Sequence, residues 1–255
     1  MNPNAGCDGC RTGETFPVPF TMAFQPIIDM QARSIWGYES LVRGINGEGA
    51  GAVLAAVTPE NRYRFDQACR VKAIELAGRH LPRDSTARLS INFMPNAVYE
   101  PVACIRASLA AASRTGFDPR RLMFEFTENE RIEDTAHIGN IIESYRRIGF
   151  TTALDDFGAG YAGLGLLAKF QPDLIKIDME LVRGIQASAA QLAIVKGIIA
   201  IADALDITVL AEGVETDAER QALMAAGIRL FQGYLFARPE IETFVPASAI
   251  GLLAA

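Results

Sequence analysis

Residues 151–178 read TTALDDFGAGYAGLGLLAKFQPDLIKID. Two short apolar runs bracket the stretch, Thr151–Asp155 and Leu174–Asp178, and the segment between them, Ala162–Lys169, has helical spacing. β-Branched and alternating residues mark the two runs as strands. Strands separated by a helix are parallel and joined by a right-handed crossover. The first run ends in two acids, Asp155 and Asp156, and the second holds Lys176.

The same alternation extends along the chain. Further strand-like runs are Met22–Ile28, Ser34–Val42, Arg88–Phe93, Leu122–Thr127, Thr208–Glu212 and Leu230–Phe236. Helix-like segments are Asn61–Leu81, Ala97–Thr115, Thr135–Ile148, Ala189–Ala204 and Asp217–Ala226. Thr216 and Glu219 have the spacing of a capping box, and Gly227 stands where a C-cap glycine belongs. Eight strands alternating with helices in 255 residues predict an α/β fold, a modified TIM-type (β/α)8 barrel. Only Asp29–Arg33 separates the first two runs, too short for a parallel crossover. They should form a hairpin, which makes the first strand antiparallel. Residues 1–19 contain Pro17, Pro19 and a Cys7–Cys10 CxxC pair and read as a flexible arm before one barrel domain over 20–255.

Composition narrows the function. The net charge of −6 disfavours a broad basic face and hence a nucleic-acid polymer as partner. No apolar run reaches the roughly 18 residues of a membrane helix, and residues 1–16 lack a signal-peptide pattern, so a cytoplasmic location is expected. Four cysteines make no disulfide framework; Cys69 and Cys104 sit in apolar helical contexts and read as core. A single CxxC lacks the second pair that a structural zinc site needs.

In a barrel enzyme the chemistry lies at the C-terminal ends of the strands. Those ends carry Glu39, Asn92, Glu125, Asp155 with Asp156, Lys176, Glu212 and Gln232. Period-two alternation sets Glu125 against Phe124 and Phe126, Asn92 against Ile91 and Phe93, and Lys176 against Ile175 and Ile177. The apolar partners pack under the helices, so the polar residues face the barrel mouth. Converging carboxylates demand a cation, and one lysine cannot neutralise them all. Oxygen ligands without histidine or thiolate suit Mg²⁺ or Mn²⁺. The acids can hold two ions with Asp155 as a bridge, a site suited to in-line attack on a phosphodiester. The only two histidines, His80 and His137, fall outside the strand ends and read as surface residues, which disfavours a serine triad or a histidine-ligated metal.

FQPII (24–28), GYESLVRG (37–44), INF (91–93), FEFTE (124–128), LDDFGAGYAGL (154–164), PDLIKID (172–178), LAEGVET (210–216) and QGYLFARP (232–239) together resemble the ordered motif set of the EAL family of cyclic di-GMP phosphodiesterases. The resemblance spans roughly residues 20–245. Residues 61–77, NRYRFDQACRVKAIELA, are similar to EAL domains found alone or behind blue-light-sensing flavin domains. The resemblance implies hydrolysis of cyclic di-GMP to linear pGpG with Mg²⁺ or Mn²⁺. By resemblance, Glu39, Asn92, Glu125 and Asp155 match metal ligands, Asp156 a ligand of the second ion, and Glu212 a further metal-site carboxylate. Lys176 matches the residue that orients the attacking water, with Gln232 beside that water. Glu128 matches a glutamate that holds the loop after Asp156. Gln25, Val42, Arg43, Glu215 and Tyr234 match substrate contacts, and the family implies a homodimer. The chain departs from the family at Ser40 in the signature triplet and at Ala159, Ala162 and Gly163 in the loop. Competing readings are a cyclic di-GMP receptor, a protein-interaction module that regulates transcription through a protein partner, and a barrel hydrolase of another phosphodiester.

Overall fold

A computed structural model describes residues 16–94, 104–127, 135–159 and 163–253. The strands are β1 (Phe20–Asp29), β2 (Ser34–Gly44), β3 (Arg88–Asn92), β4 (Leu122–Thr127), β5 (Thr151–Phe157), β6 (Leu174–Ile177), β7 (Thr208–Ala211), β8 (Leu230–Phe231) and β9 (Glu240–Ile241). Helices α1 (Ala50–Leu54), α2 (Arg62–His80), α3 (Arg106–Thr115), α4 (Thr135–Ile148), α5 (Gly163–Leu167), α6 (Met179–Val182), α7 (Ala189–Ala204) and α8 (Asp217–Ala226) connect them. Strands β1 to β8 close into a barrel. From β2 to β8 every neighbour is parallel, and β1 is antiparallel to both β2 and β8. The expected hairpin is therefore present. Strand β9 adds to the free end of β1.

Each barrel strand is read twice, once on each face. The outward residues Ile91, Phe124, Phe126, Leu154, Ile175, Ile177 and Phe231 are buried in one large core beneath the helices. Helix α4 meets them with Ile138, Ile141, Ile142 and Tyr145, a spacing that lines one face of a helix. Phe124, fully buried, lies 5.0 Å from the Tyr145 ring and 5.2 Å from Phe150. Burying a side chain of this size contributes roughly 1.5–3 kcal/mol. The inward residues Ile27, Met123, Ala153, Leu174, Leu210 and Leu230 form a separate cluster that plugs the barrel. Two residues further, along β4, β5 and β6 and just past the ends of β7 and β8, come Glu125, Asp155, Lys176, Glu212 and Gln232, so the floor of the mouth sits directly on this apolar plug.

Caps fix several helices. Ser188 accepts the Gln191 N–H at the start of α7, and the capping box of Thr216 and Glu219 opens α8, which ends at Gly227 with φ +110°. The eighth strand corrects the sequence expectation of Leu230–Phe236. Only Leu230–Phe231 pair as strand, because the chain turns at Gly233 (φ +156°). A Cβ there would lie 2.1 Å from the Val214 carbonyl oxygen, so no other residue fits this approach. Strand β2 runs past Glu39 to Gly44, but its ladder with β3 stops at Ser40; the remainder pairs only with β1. Phe16 is buried against Phe20 and Phe65. Cys7, Cys10, Ala162 and residues 95–103 lie outside the described residues. Cys69 and Cys104 are buried free thiols, and His80 is exposed. Among the described residues no helix is long and apolar enough to cross a membrane.

Candidate active site

Lys176 is the centre of the mouth floor. It is fully buried, and its Nζ lies 2.7 Å from Glu212, 3.0 Å from Glu125, 3.0 Å from Asp155 and 3.6 Å from Glu39. Burial opposes a charge there, but Asp155, Glu125, Glu212 and Glu39 outweigh it and hold the lysine pKa well above its usual range. It stays an ammonium. The acids feel the converse. Burial, with Glu39 and Asp155 adding to it against Lys176, pushes Glu125 up to about 8. Burial and Asp155 likewise hold Glu212 well above the ordinary carboxylate range. Asp156 rises to about 6 through burial and through Asp155 and Asp178.

The order of the strand explains one pairing and a bulge explains the next. Consecutive strand residues point to opposite faces, yet Asp155 and Asp156 both reach the mouth. Between the Leu154–Ile175 and Phe157–Ile177 pairs, two residues of β5 oppose Lys176 alone. Asp156 takes φ +54° and its N–H donates to the Asp155 carboxylate at 3.0 Å. This bulge re-aims the second acid.

Hydrogen bonds preset the rest. Asn92 donates to Glu39 Oε1 at 3.0 Å and Gln232 donates to Glu39 Oε2 at 2.7 Å. The same Gln232 amide reaches Gln25 Oε1 at 3.2 Å, and Gln25 is held by the Ala237 carbonyl. Gln232 Oε1 is buried and has no partner among the described residues, an acceptor left for a ligand or a water. Sequence reasoning misses Ser90, whose hydroxyl donates to Glu125 Oε1. It lies two residues before Asn92 and hence on the same inward face, which is the available signal.

Above the floor opens a cavity of about 250 Å³. Gln25, Glu39, Asp156, Glu212, Glu215, Gln232 and Tyr234 line it, together with Asp178, Met179 and Arg183. The structure does not bring Val42 and Arg43 to this cavity. Val42 lines a separate, apolar cavity with Phe65 and Cys69, and Arg43 folds back to donate to the Val42 carbonyl at 2.7 Å. Ser40 points away from Glu39 and donates to the Ser90 carbonyl at 2.8 Å. Glu128 lies outside the described residues.

The donor set fits hard divalent cations. Oxygens of Glu39, Glu125 and Asp155 lie within 4.8 Å of one another, and so do those of Asp155, Asp156 and Glu212. Asp155 belongs to both groups. Among the described residues five carboxylates face one ammonium, all donors are oxygens, and neither histidine nor thiol takes part.

The model of the EAL domain family matches residues 19–239. The chain belongs to the EAL domain family. Its EAL barrel superposes on a standalone versatile EAL protein of Vibrio cholerae O395 in its c-di-GMP-bound form, with a TM-score of 0.86 and 50% identity. The match covers 91% of this chain and 97% of that one. The calcium and cyclic di-GMP complex of Klebsiella pneumoniae BlrP1 gives a TM-score of 0.82 at 38% identity, covering 89% of this chain and 57% of that one. The blue light- and temperature-regulated antirepressor BluF of Escherichia coli is 32% identical over 235 residues, 92% of this chain and 57% of that protein. Other curated EAL relatives, in Pseudomonas aeruginosa and Escherichia coli, are named cyclic di-GMP phosphodiesterases. The matched part of the chain spans between 17% and 57% of the length of these three curated relatives.

Proposed function

We propose that the chain is a metal-dependent phosphodiesterase that opens cyclic di-GMP to linear pGpG. The observation that carries this reading is the floor of the mouth: an ammonium ringed by four carboxylates, with a fifth aimed in by the Asp155–Asp156 bulge. Glu39, Asn92, Glu125 and Asp155 would hold one Mg²⁺ or Mn²⁺, and Asp155, Asp156 and Glu212 a second. When bound, the ions polarise the phosphoryl group and lower the pKa of water. Lys176 keeps its proton and balances charge developing on the phosphorane oxygens and attacking oxygen. The orphan Gln232 Oε1 accepts a hydrogen bond from the water and holds it against the floor. Glu215 and Tyr234, exposed at the rim, take the nucleobase. The carboxylates repel an anionic dinucleotide, so metal loading strengthens substrate binding.

The test is chromatography of pGpG formed from cyclic di-GMP with Mg²⁺ or Mn²⁺, for wild type and Glu39→Ala. Metal-dependent product with wild type and none with the variant supports the reading; equal turnover in both overturns the mechanism. The likeness to the antirepressor BluF favours a second reading, a nucleotide-binding regulator of a protein partner. Tight cyclic di-GMP binding without product selects it.

A further inference from the structure

We propose that Arg183 and Glu215 together read the edge of a guanine at the rim of the mouth. The inference rests on the cyclic di-GMP reading above and adds a specificity residue to it. Arg183 follows α6, and among the described residues lining the mouth cavity it is the single cation. Its Nη2 lies 2.7 Å from Glu215 Oε1, and both side chains are about half exposed.

An ordinary surface ion pair is worth little and is held by nothing else. This one is mounted. Glu219, only 5% exposed, accepts the Gly184 N–H on Oε1 at 3.0 Å and the Glu215 and Thr216 N–H groups on Oε2 at 3.0 and 2.9 Å. One buried carboxylate thus ties the backbone beside Arg183 to the backbone of Glu215. Gln191 adds a second tie, donating to the Arg183 carbonyl at 3.0 Å and the Glu180 carbonyl at 2.9 Å. The main chain under both residues is fixed while their side chains face the cavity.

The pair presents guanidinium donors beside a carboxylate acceptor. Guanine presents the complement: O6 and N7 accept, and the neighbouring N1–H and N2–H₂ donate. Arg183 keeps one Glu215 oxygen while its remaining donors meet O6 and N7; the other Glu215 oxygen takes N1–H and N2–H₂. Adenine replaces O6 by an amino donor and N1–H by an acceptor, so it sets donor against donor and acceptor against acceptor. Tyr234 lines the same cavity, and Arg238 covers one face of its ring at 4.0 Å, which leaves the other face for a purine to stack on.

The experiment compares wild type, Arg183→Met, Arg183→Lys and Glu215→Gln on cyclic di-GMP and cyclic di-AMP. Steady-state rates with Mg²⁺ and binding by calorimetry are measured in parallel. Arg183→Met should raise KM for cyclic di-GMP about 10-fold or more, with kcat changed less than about 3-fold. Preference for cyclic di-GMP over cyclic di-AMP should fall about 10-fold, and Arg183→Lys should lose preference too, because it keeps the charge without the fork. Glu215→Gln should erode the same preference. Arg183→Met or Glu215→Gln that weakens both nucleotides equally, or neither, overturns the reader. A wild type that binds cyclic di-GMP without hydrolysing it overturns the phosphodiesterase reading and leaves the reader to the binding ratios. A wild type that does not bind cyclic di-GMP overturns both.

Discussion

Glu219→Ala should destabilise the protein far beyond what a change at the edge of one helix suggests. The side chain is almost fully buried and accepts three backbone N–H groups, from Gly184, Glu215 and Thr216. Alanine removes all three acceptors and puts nothing in their place. A buried donor left unpaired costs about 1–3 kcal/mol. The three donors lie near the rim, so the low end applies, for a total of about 3 kcal/mol. For a chain of this size that is a fall in Tm of about 6–12 °C. Thermal unfolding followed by circular dichroism reads it. Glu219→Gln should fall between the two, since one amide oxygen serves only one side of the junction while its NH₂ faces donors. The pH dependence carries a sign. Burial pushes the Glu219 pKa up, but the backbone donors of Gly184, Glu215 and Thr216 outweigh it and hold the folded-state pKa below the usual 4.5. The group therefore stabilises the fold fully above its unfolded pKa, and the stabilisation is lost as pH falls through the lower folded value. The gap between wild type and Glu219→Gln should be flat from about pH 7 to about pH 5.5 and narrow below about pH 4.5. An alanine variant melting within about 2 °C of wild type would refute the reasoning.

Three more perturbations address the floor. Lys176→Met leaves four facing carboxylates without their ammonium; breaking such a buried pairing costs about 3–5 kcal/mol, or a fall in Tm of roughly 6–20 °C for the metal-free protein, read by scanning fluorimetry in chelator. Added Mg²⁺ should restore part of that fall while pGpG formation stays absent. Asn92→Ala, which also removes the donor to Glu39, should raise the Mg²⁺ concentration for half-maximal turnover about 10-fold or more, measured by titrating the metal at saturating nucleotide. Replacing Mg²⁺ by Ca²⁺ should keep nucleotide binding in calorimetry and abolish product, because Ca²⁺ takes more and longer oxygen ligands than in-line attack tolerates.

Much of this arrangement is legible in the sequence because single residues mark it. Helices α4, α7 and α8 match their expected bounds to the residue, and α7 and α8 carry a local start signal in Ser188 and Thr216. The floor is legible because β4 to β8 each place an apolar residue two positions before a polar one, as in Met123–Glu125 and Leu174–Lys176. Illegible features depend on contacts between distant segments. The Asp155–Asp156 bulge is a register shift against β6, and alternation alone would turn one acid away from the mouth. The eighth strand fails as a long strand because Val214 approaches Gly233 from 19 residues upstream. Arg183 and Glu215 are 32 residues apart, and the Glu219 carboxylate bonds the backbone beside both.

Charge sets the division of labour between floor and rim. The floor holds Lys176 because an apolar residue there would leave Glu125 and its neighbours buried with no counter-charge in the absence of metal. One ammonium suffices to keep the cluster folded but leaves it acidic, which is the condition for drawing in divalent cations. A cyclic dinucleotide carries two negative phosphates, and bound cations would offset their repulsion by the same cluster. The rim answers the second half of the problem with a guanidinium whose charge is nearly cancelled by Glu215, so it contributes hydrogen-bonding pattern more than attraction. On the proposed reading, metals on the floor would set affinity for any phosphodiester, and the pair on the rim would set the choice among nucleobases. The two should separate experimentally: salt and metal concentration should move cyclic di-GMP and cyclic di-AMP together, whereas substitutions at Arg183 should move them apart.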